Sequence, residues 1–185
     1  MIRYKPTPAE ISAAYGKTVP DVIATNLQVL FCGINPSLYS AAVQHHFARP
    51  GNRFWPTLYG AGFTDRLLFP HEEQELLQRG YGITNICDRA TATADQLSSK
   101  ELVASGERLV LKIQHYRPKC LAILGVSAYR TAFKQPKAKM GQQADRFQDS
   151  ILWVLPNPSG LNAHYQLPEL QQIYRELRLA MLHEG

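Results

Sequence analysis

Short apolar segments alternate along this chain with segments of helical periodicity, and this alternation constrains the fold more than any other feature. The apolar segments are short, mostly aliphatic and bounded by glycine or polar residues, as buried strands are. They lie at residues 27–33, 120–125 and 151–155, with a weaker candidate at 82–86. Because strands that alternate with helices pair in parallel, the sequence predicts an α/β fold. We expect a three-layer sandwich with a central, mainly parallel four- to five-stranded sheet flanked by helices.

Helix signals occupy the segments between these strands. Pro70 suits a first helical position and Gly80 suits a stop, which predicts a helix over residues 71–79. Ser98 and Glu101 have the spacing of a capping box, and an apolar stripe follows them. A second stripe predicts a core-facing helix near the end of the chain, through Leu170, Ile173, Tyr174, Leu177 and Met181.

The composition suits one ordinary globular domain, which we expect to span 1–185 with residues 1–26 as a lead-in. Lys and Arg exceed Asp and Glu to give a net charge of +5, which permits a polyanionic partner. The three cysteines stand far apart, which predicts buried free thiols and no disulfide framework. No apolar run approaches the roughly 20 residues of a membrane span. We therefore expect a cytoplasmic protein without a membrane partner. Because nothing in the sequence suggests oligomerisation, we also expect a monomer.

Two strands end in an Asn-Pro sequence, at Asn35-Pro36 and again at Asn157-Pro158. In open parallel sheets, sites gather beyond the carboxyl ends of the strands, so these two loops should lie close together. Pro36 biases Asn35 toward extended geometry and holds its amide at a strand end. A turn or a helix cap remains the alternative interpretation of such a sequence.

Two further loops combine residue types that suit contact with a nucleic acid. Residues 45–55 mix histidines, aromatic rings and arginines, which suits stacking on a base and holding phosphates. The alternative is a core aromatic pair, Phe54 and Trp55, beside a solvated loop. In the last loop, Leu161 stands between glycine and asparagine and could act as an apolar wedge between bases, or could fold back onto the domain.

Five stretches of the chain, taken together and in order, resemble the mismatch-specific uracil-DNA glycosylases and the related thymine-DNA glycosylases of the uracil-DNA glycosylase superfamily. The resemblance extends from about residue 27 to residue 178 and leaves residues 1–26 outside. The matching stretches are residues 31–36, 50–55, 60–64, 122–125 and 153–161. The resemblance implies a small α/β sandwich that hydrolyses the N-glycosidic bond of uracil, or a related base, opposite guanine in duplex DNA. It implies base-excision repair by base flipping, with no metal and no cofactor.

The resemblance also implies a role for individual residues. Asn35 matches the residue that positions the attacking water, and an asparagine there predicts a slow enzyme. The flipped base would stack on Phe47, with the backbone amides of Ile34 and Phe47 near its oxygens. Its edge would contact Asn85 and either Ser40 or His46. Leu161 would fill the vacated space, and Gly160 and Asn162 would face the guanine left behind. The DNA-binding wedge would therefore comprise Asn157, Ser159, Gly160, Leu161 and Asn162.

Several departures from the family pattern leave the range of accepted bases open. Ser37 stands where glycine is common, and Ala163 stands where arginine is frequent in the bacterial mismatch enzymes. Uracil is the expected base, with thymine and modified pyrimidines as further candidates. Asp88 is a second candidate base for the reaction, or else a structural partner of Arg89.

Two other functions compete with the glycosylase. A non-catalytic module on the same fold would bind mismatched or damaged DNA, although Asn35 counts against it. A hydrolase of free nucleosides or nucleotides would need no wedge, so Leu161 counts against that alternative. Duplex binding with a marked salt dependence separates the DNA-directed functions from the last one.

Overall fold

Five strands form the central sheet of the protein, whose computed structural model describes residues 4–183. They are β1 (Val29–Gly33), β2 (Tyr81–Asn85), β3 (Cys120–Leu124), β4 (Gly141–Phe147) and β5 (Ser150–Leu155). Their order across the sheet is β2-β1-β3-β5-β4. The first four strands of this order run parallel, and β4 joins the edge antiparallel to β5. The predicted α/β sandwich with a mainly parallel sheet is confirmed.

Helices cover both faces of this sheet, which explains why the central strands are apolar throughout. The helices are α1 (Pro8–Ser12), α2 (Leu38–Val43), α3 (Phe54–Ala61), α4 (Glu75–Gln78), α5 (Ser99–Tyr116), α6 (Val126–Ala132) and α7 (Leu167–His183). In β1, Phe31 belongs to the core under α3 and α7, while Leu30 belongs to the core under α5 and α6. The predicted stripe on α7 is buried at Leu170, Tyr174, Leu177 and Met181 and half-buried at Ile173.

The helix predicted over residues 71–79 is wrong in its continuity. A 3₁₀ turn at Pro70–Glu72 and the short α4 replace it, and Gly80 follows in a left-handed conformation with φ of 79°. The physical reason is Glu73, whose buried carboxylate turns inward to accept a hydrogen bond from the backbone of His46. Glu73 therefore serves the neighbouring loop instead of a solvated helix face.

Only half of the predicted capping box forms at the start of α5. Ser98 Oγ accepts a hydrogen bond from the Glu101 amide at 3.1 Å. The Glu101 carboxylate does not return to the Ser98 backbone, because it forms an ion pair with Arg89. This pair also corrects the expectation for Arg89, since its acidic partner is Glu101 and not Asp88.

The edge strand β4 carries no apolar alternation, so sequence periodicity did not indicate it. Most of its side chains are exposed, since it pairs on one side only. Its pairing with β5 is irregular between Gln142 and Arg146. Such an interruption is common at sheet edges, where it also discourages pairing with another chain.

The three cysteines are buried free thiols, as predicted. Burial raises the pKa values of Cys32 and Cys120, so these thiols stay protonated and unreactive. Within residues 4–183, no helix is both long and apolar enough to cross a membrane. The lead-in packs on the domain, where Ala14 and Val19 form a small cluster with Ala41 and Ala90.

Candidate active site

A pocket opens where β1, β2 and β5 end, at the carboxyl edge of the parallel sheet. Its volume of ≈ 120 Å³ is roughly ten times the ~10–15 Å³ that one water molecule needs. Residues of both Asn-Pro loops line it, so the prediction that these loops lie together is confirmed. The predicted residues in its wall are Ile34, Asn35, Ser40, His46, Phe47, Asn85, Asn157, Ser159 and Leu161.

Asn35 is held in one orientation by its own amide group. Its Nδ2 donates hydrogen bonds to the backbone oxygen of Arg89 at 2.9 Å and to Thr91 Oγ1 at 2.7 Å. Because a carbonyl can only accept, the atom facing Arg89 must be the NH₂ group. The Thr91 hydroxyl in turn donates to the backbone oxygen of Thr93 at 2.8 Å. Both N–H bonds of Asn35 are thus used, and Oδ1 is left as an acceptor without a partner among residues 4–183.

The helix-cap alternative for this loop applies to Ser37 and not to Asn35. Ser37 Oγ accepts from the Ser40 amide at 3.1 Å and so forms the N-cap of α2. This contact gives a structural reason for the serine that departs from the family pattern. The Ser40 hydroxyl is buried and accepts from the Ala48 amide at 3.0 Å, which ties α2 to the next wall of the pocket.

Phe47 forms an aromatic wall with a strained backbone. Its φ is 52°, in a region that costs a non-glycine residue about 1–2 kcal/mol. The neighbouring amides of His46 and Ala48 are held by Glu73 and Ser40, which fixes the strained turn. The ring stacks on Phe54 with centroids 4.0 Å apart. Strain of this kind is frequent where a protein fixes a binding surface in advance.

His46 and Asn85 form a buried polar pair beside Phe47. Nε2 of His46 lies 2.9 Å from the backbone oxygen of Pro20, so the neutral ring carries its proton there. Burial lowers the pKa of His46, which favours this neutral form. Nδ1 is then an acceptor and faces Nδ2 of Asn85 at a long 3.5 Å. This pairing leaves Asn85 Oδ1 above Gly33, where an added Cβ would stand only 2.5 Å away.

Two backbone donors also remain open in the pocket wall. The amides of Ile34 and Phe47 make no hydrogen bond within the described part of the chain, although both residues line the pocket. The backbone groups beside these two amides do have partners. The Ile34 oxygen accepts a hydrogen bond from the Cys87 amide at 2.9 Å, and the Ala48 amide donates to Ser40 Oγ. The pocket therefore combines open donors with the open Oδ1 acceptors of Asn35 and Asn85.

The loop of residues 156–165 carries Leu161 at its exposed tip. Leu161 is 67% exposed, so it does not fold back onto the domain. The base of the loop is braced by Ser159, whose amide donates to Asn157 Oδ1 at 3.0 Å, and by Asn162 Nδ2, which donates to the Asn157 oxygen at 3.0 Å. The loop therefore combines a hydrogen-bonded base with an exposed apolar tip.

Gly160 and Asn162 do not line the pocket. The Asn162 amide pairs with the Ser159 oxygen at 3.0 Å, and its own oxygen accepts from Arg53 at 2.9 Å. In the part of the chain that the structure covers, the Gly160 backbone makes no hydrogen bond. Gly160 also packs closely on residue 51, because an added Cβ would lie 2.5 Å from the Gly51 oxygen.

The loop of residues 45–55 contains the core aromatic pair that was weighed as the alternative interpretation for it. Phe54 and Trp55 are core residues, and Trp55 Nε1 donates to the His46 oxygen at 3.3 Å. The Arg53 side chain donates hydrogen bonds to carbonyl oxygens of the Leu161 loop, so it is not free to bind a phosphate. Arg49, in contrast, is exposed on the pocket rim and has no ion pair with any residue from 4 to 183.

Sequence reasoning missed the segment that follows β2. Thr91, Ala92, Thr93 and Ala94 line the pocket, together with Asn52. The available signal was their position, since they follow a predicted strand of the parallel sheet. Asp88 is outside the pocket wall and lies 3.8 Å from Lys112, so this carboxylate is badly placed as a base. No group of three His, Cys, Asp or Glu side chains between residues 4 and 183 could hold a metal ion.

A family model for the uracil DNA glycosylase superfamily matches residues 20–178. The chain belongs to this superfamily. Among solved structures, it is similar to the solution NMR structure of a "putative Uracil DNA glycosylase" from Methanosarcina acetivorans. The TM-score is 0.57 at 18% identity, over 88% of this chain and 98% of that chain. At that identity the likeness shows the fold alone, and it agrees with the sandwich fold that we expected for a uracil DNA glycosylase superfamily member.

Proposed function

We propose that this protein is a monofunctional DNA glycosylase that releases uracil opposite guanine from duplex DNA for base-excision repair. It would belong to the mismatch-specific and thymine-glycosylase branch, with thymine and modified pyrimidines as further candidate bases. The observation that carries the proposal is the fixed amide of Asn35, whose open Oδ1 stands in a pocket that also presents Phe47 and Asn85. Water, base and wedge then have separate places within one site.

The reaction that suits Asn35 is a dissociative hydrolysis. Cleavage of the N-glycosidic bond runs ahead of water addition. The electron pair of the bond moves to N1 of the base, and the sugar gains oxocarbenium character. A water held by Asn35 Oδ1 adds its oxygen to C1′ and loses a proton, while the departing base takes one up. An amide oxygen orients water but is a weak base, so a slow chemical step follows. No lysine lines the pocket as the structure describes it, which favours hydrolysis over a Schiff-base lyase step.

The pocket offers complementary partners for an extruded uracil. Phe47 supplies a ring for stacking, and the open amides of Ile34 and Phe47 would donate to carbonyl oxygens of the base. Asn85 would accept the imide N–H through Oδ1, the atom that His46 leaves free. Fixed donors that face the departing anion lower the barrier, and the loss of one typically costs ~10²–10³ in rate.

The rim suits duplex DNA. Leu161 would fill the space left by the flipped base, and the free Gly160 backbone would face the unpaired guanine. Arg49 would bind a phosphate of the duplex, and the net charge of +5 would favour association with the DNA. Extrusion costs a few kcal/mol and least at a weakened pair. A G·U wobble is therefore the preferred target over A·U.

The test is release of the free base under single-turnover conditions from matched duplexes with one G·U, A·U, G·T or G·C pair, with deoxyuridine as a further substrate. We expect release from G·U, much slower release from A·U and none from G·C or deoxyuridine. Tight G·U binding without release of any base would favour the non-catalytic module. Release from deoxyuridine at a rate equal to that from G·U would favour a nucleoside hydrolase.

A further inference from the structure

One arginine side chain spans most of the loop that carries Leu161. Nη2 of Arg53 donates to the oxygens of Ser159 at 2.6 Å and Asn162 at 2.9 Å, and Nη1 donates to the oxygen of Tyr165. Nε adds a longer contact of 3.4 Å to the Pro158 oxygen. Arg53 forms no ion pair within residues 4–183. Its charge is therefore balanced by carbonyl dipoles that converge from one loop.

The same residue is also joined to the wall of the pocket. The Arg53 backbone amide donates to the Pro158 oxygen at 3.0 Å, and Arg53 immediately precedes α3. The next residue, Phe54, stacks on Phe47, the ring proposed to receive the base. One short segment thus connects the wedge loop to the base-binding wall.

We propose that Arg53 is a positioning residue that holds the Leu161 loop ready for insertion and so promotes base flipping. This inference rests on the proposed function. Leu161 is exposed and gains no burial of its own in the free protein, so contacts at the base of the loop must hold its tip in place. A loop that had to become ordered during binding would lose conformational entropy at that step, and flipping would weaken.

The chemistry requires arginine at this position. A guanidinium presents five N–H donors in a fixed plane and can bridge several carbonyl oxygens at once. A lysine ammonium keeps the charge but is a compact donor on a flexible stem. Arg53→Lys therefore separates the bridging geometry from the charge, and Arg53→Gln removes both. Arg175 provides a matched control, because it is exposed and donates to the Gly60 oxygen at 2.6 Å, away from the Leu161 loop.

The first measurement needs no DNA. We expect hydrogen exchange of the Leu161, Asn162 and His164 amides to accelerate about tenfold or more in both Arg53 variants, because the hydrogen bonds of these amides depend on the fold of this loop. Arg175→Gln should leave them as in the wild type. Unchanged protection in Arg53→Gln would overturn the proposal.

The second measurement is a double-mutant cycle between Arg53 and Leu161 for release of uracil from a G·U duplex. If Arg53 acts through Leu161, Arg53→Gln and Leu161→Ala each slow release about tenfold or more, and the double variant is no slower than the slower single variant. Losses that multiply would overturn the proposal, since Arg53 would then act elsewhere.

Flipping itself is followed in the Asn35→Ala background, with 2-aminopurine beside the uracil as a reporter of unstacking. Arg53→Gln should lower the fluorescence rise on binding, and Arg175→Gln should not. If the wild type releases no uracil but its Asn35→Ala form still shows an Arg53-dependent rise, the proposed catalysis fails and the role of Arg53 stands. If the fluorescence does not rise with any variant, the proposed role of Arg53 in flipping is wrong as well.

Discussion

Substitution of Gly33 by alanine tests where the base sits. Gly33 ends β1 beneath the pocket, and its φ is not in the left-handed region, so an alanine meets no backbone strain there. The added methyl group would stand 2.5 Å from Asn85 Oδ1 and 3.2 Å from Phe47 Cζ. Both neighbours are walls of the proposed uracil site. The substitution therefore fills the site without removing any polar group.

The magnitude follows from how little Asn85 can move. Asn85 is 5% exposed and its side chain faces His46, so relief of the 2.5 Å contact displaces a buried amide. Overpacking of this kind costs about 1–3 kcal/mol of unfolding free energy. At this chain length each kcal/mol lowers Tm by roughly 2–4 °C. A displacement of about 1 Å at a catalytic site can cost ~10²-fold in rate, so we expect at least that loss in uracil release.

The assay is single-turnover release from a G·U duplex, with Tm measured on the same protein. Gly106→Ala is the matched control, since its added Cβ would lie 2.9 Å from the Ala132 oxygen, between α5 and α6 and away from the pocket. We expect the control to retain wild-type release despite its own overpacking. Release of uracil by Gly33→Ala at the wild-type rate would show that the base does not bind above Gly33.

Three further predictions concern the rim, the histidine and the wedge loop. Arg49→Gln should weaken duplex binding and reduce the slope of log K against log salt by about 1, as measured by titration at several salt concentrations, whereas an unchanged slope would exclude a phosphate contact. Burial lowers the pKa of His46 in the folded protein. As the pH falls below about 6.5, His46 is therefore protonated in the unfolded chain before it is protonated in the folded protein. Stability should therefore decline with falling pH in that range, and denaturant melts of His46→Gln should show a shallower decline; parallel curves would contradict this. Gly160→Ala should slow release from G·U by about tenfold or more, since its Cβ would lie 2.5 Å from the backbone oxygen of Gly51 and would push the two loops apart. Release at the wild-type rate, measured under single-turnover conditions, would show that the loops of Gly51 and Gly160 can separate without affecting the reaction.

The sequence predicted the architecture well because the central strands are covered on both faces. β1, β3 and β5 are almost wholly buried, and burial on both sides produces the uninterrupted apolar runs that identified them. The same logic failed for β4, whose partner lies on one side only. The helix at 71–79 failed for a different reason, because Glu73 is recruited by a backbone amide 27 residues earlier in the chain. Long-range polar contacts of this kind leave no periodic signal.

The sequence likewise predicted some residues of the candidate site and missed others. Residues at strand ends, such as Asn35, were found because the topology of parallel sheets places them at one edge. The anchors that orient Asn35, the backbone of Arg89 and the Thr91 hydroxyl, were not found because a backbone oxygen has no sequence signature. The sequence grouped the arginines of residues 45–55 together as candidates for holding phosphates and did not distinguish Arg53 from Arg49. Only the structure shows four carbonyl oxygens around it.

The central claim is that the fixed amide of Asn35 holds the water that completes the reaction. The most direct test compares wild type and Asn35→Ala for single-turnover uracil release from a duplex with one G·U pair, with Tm and duplex affinity measured alongside. We predict release by the wild type and a loss of about 10² or more in Asn35→Ala at nearly unchanged affinity, with a Tm only a few degrees lower because the two hydrogen bonds of the Asn35 amide are lost. Release by Asn35→Ala at a rate near that of the wild type would contradict it, because the water would then be held by another group.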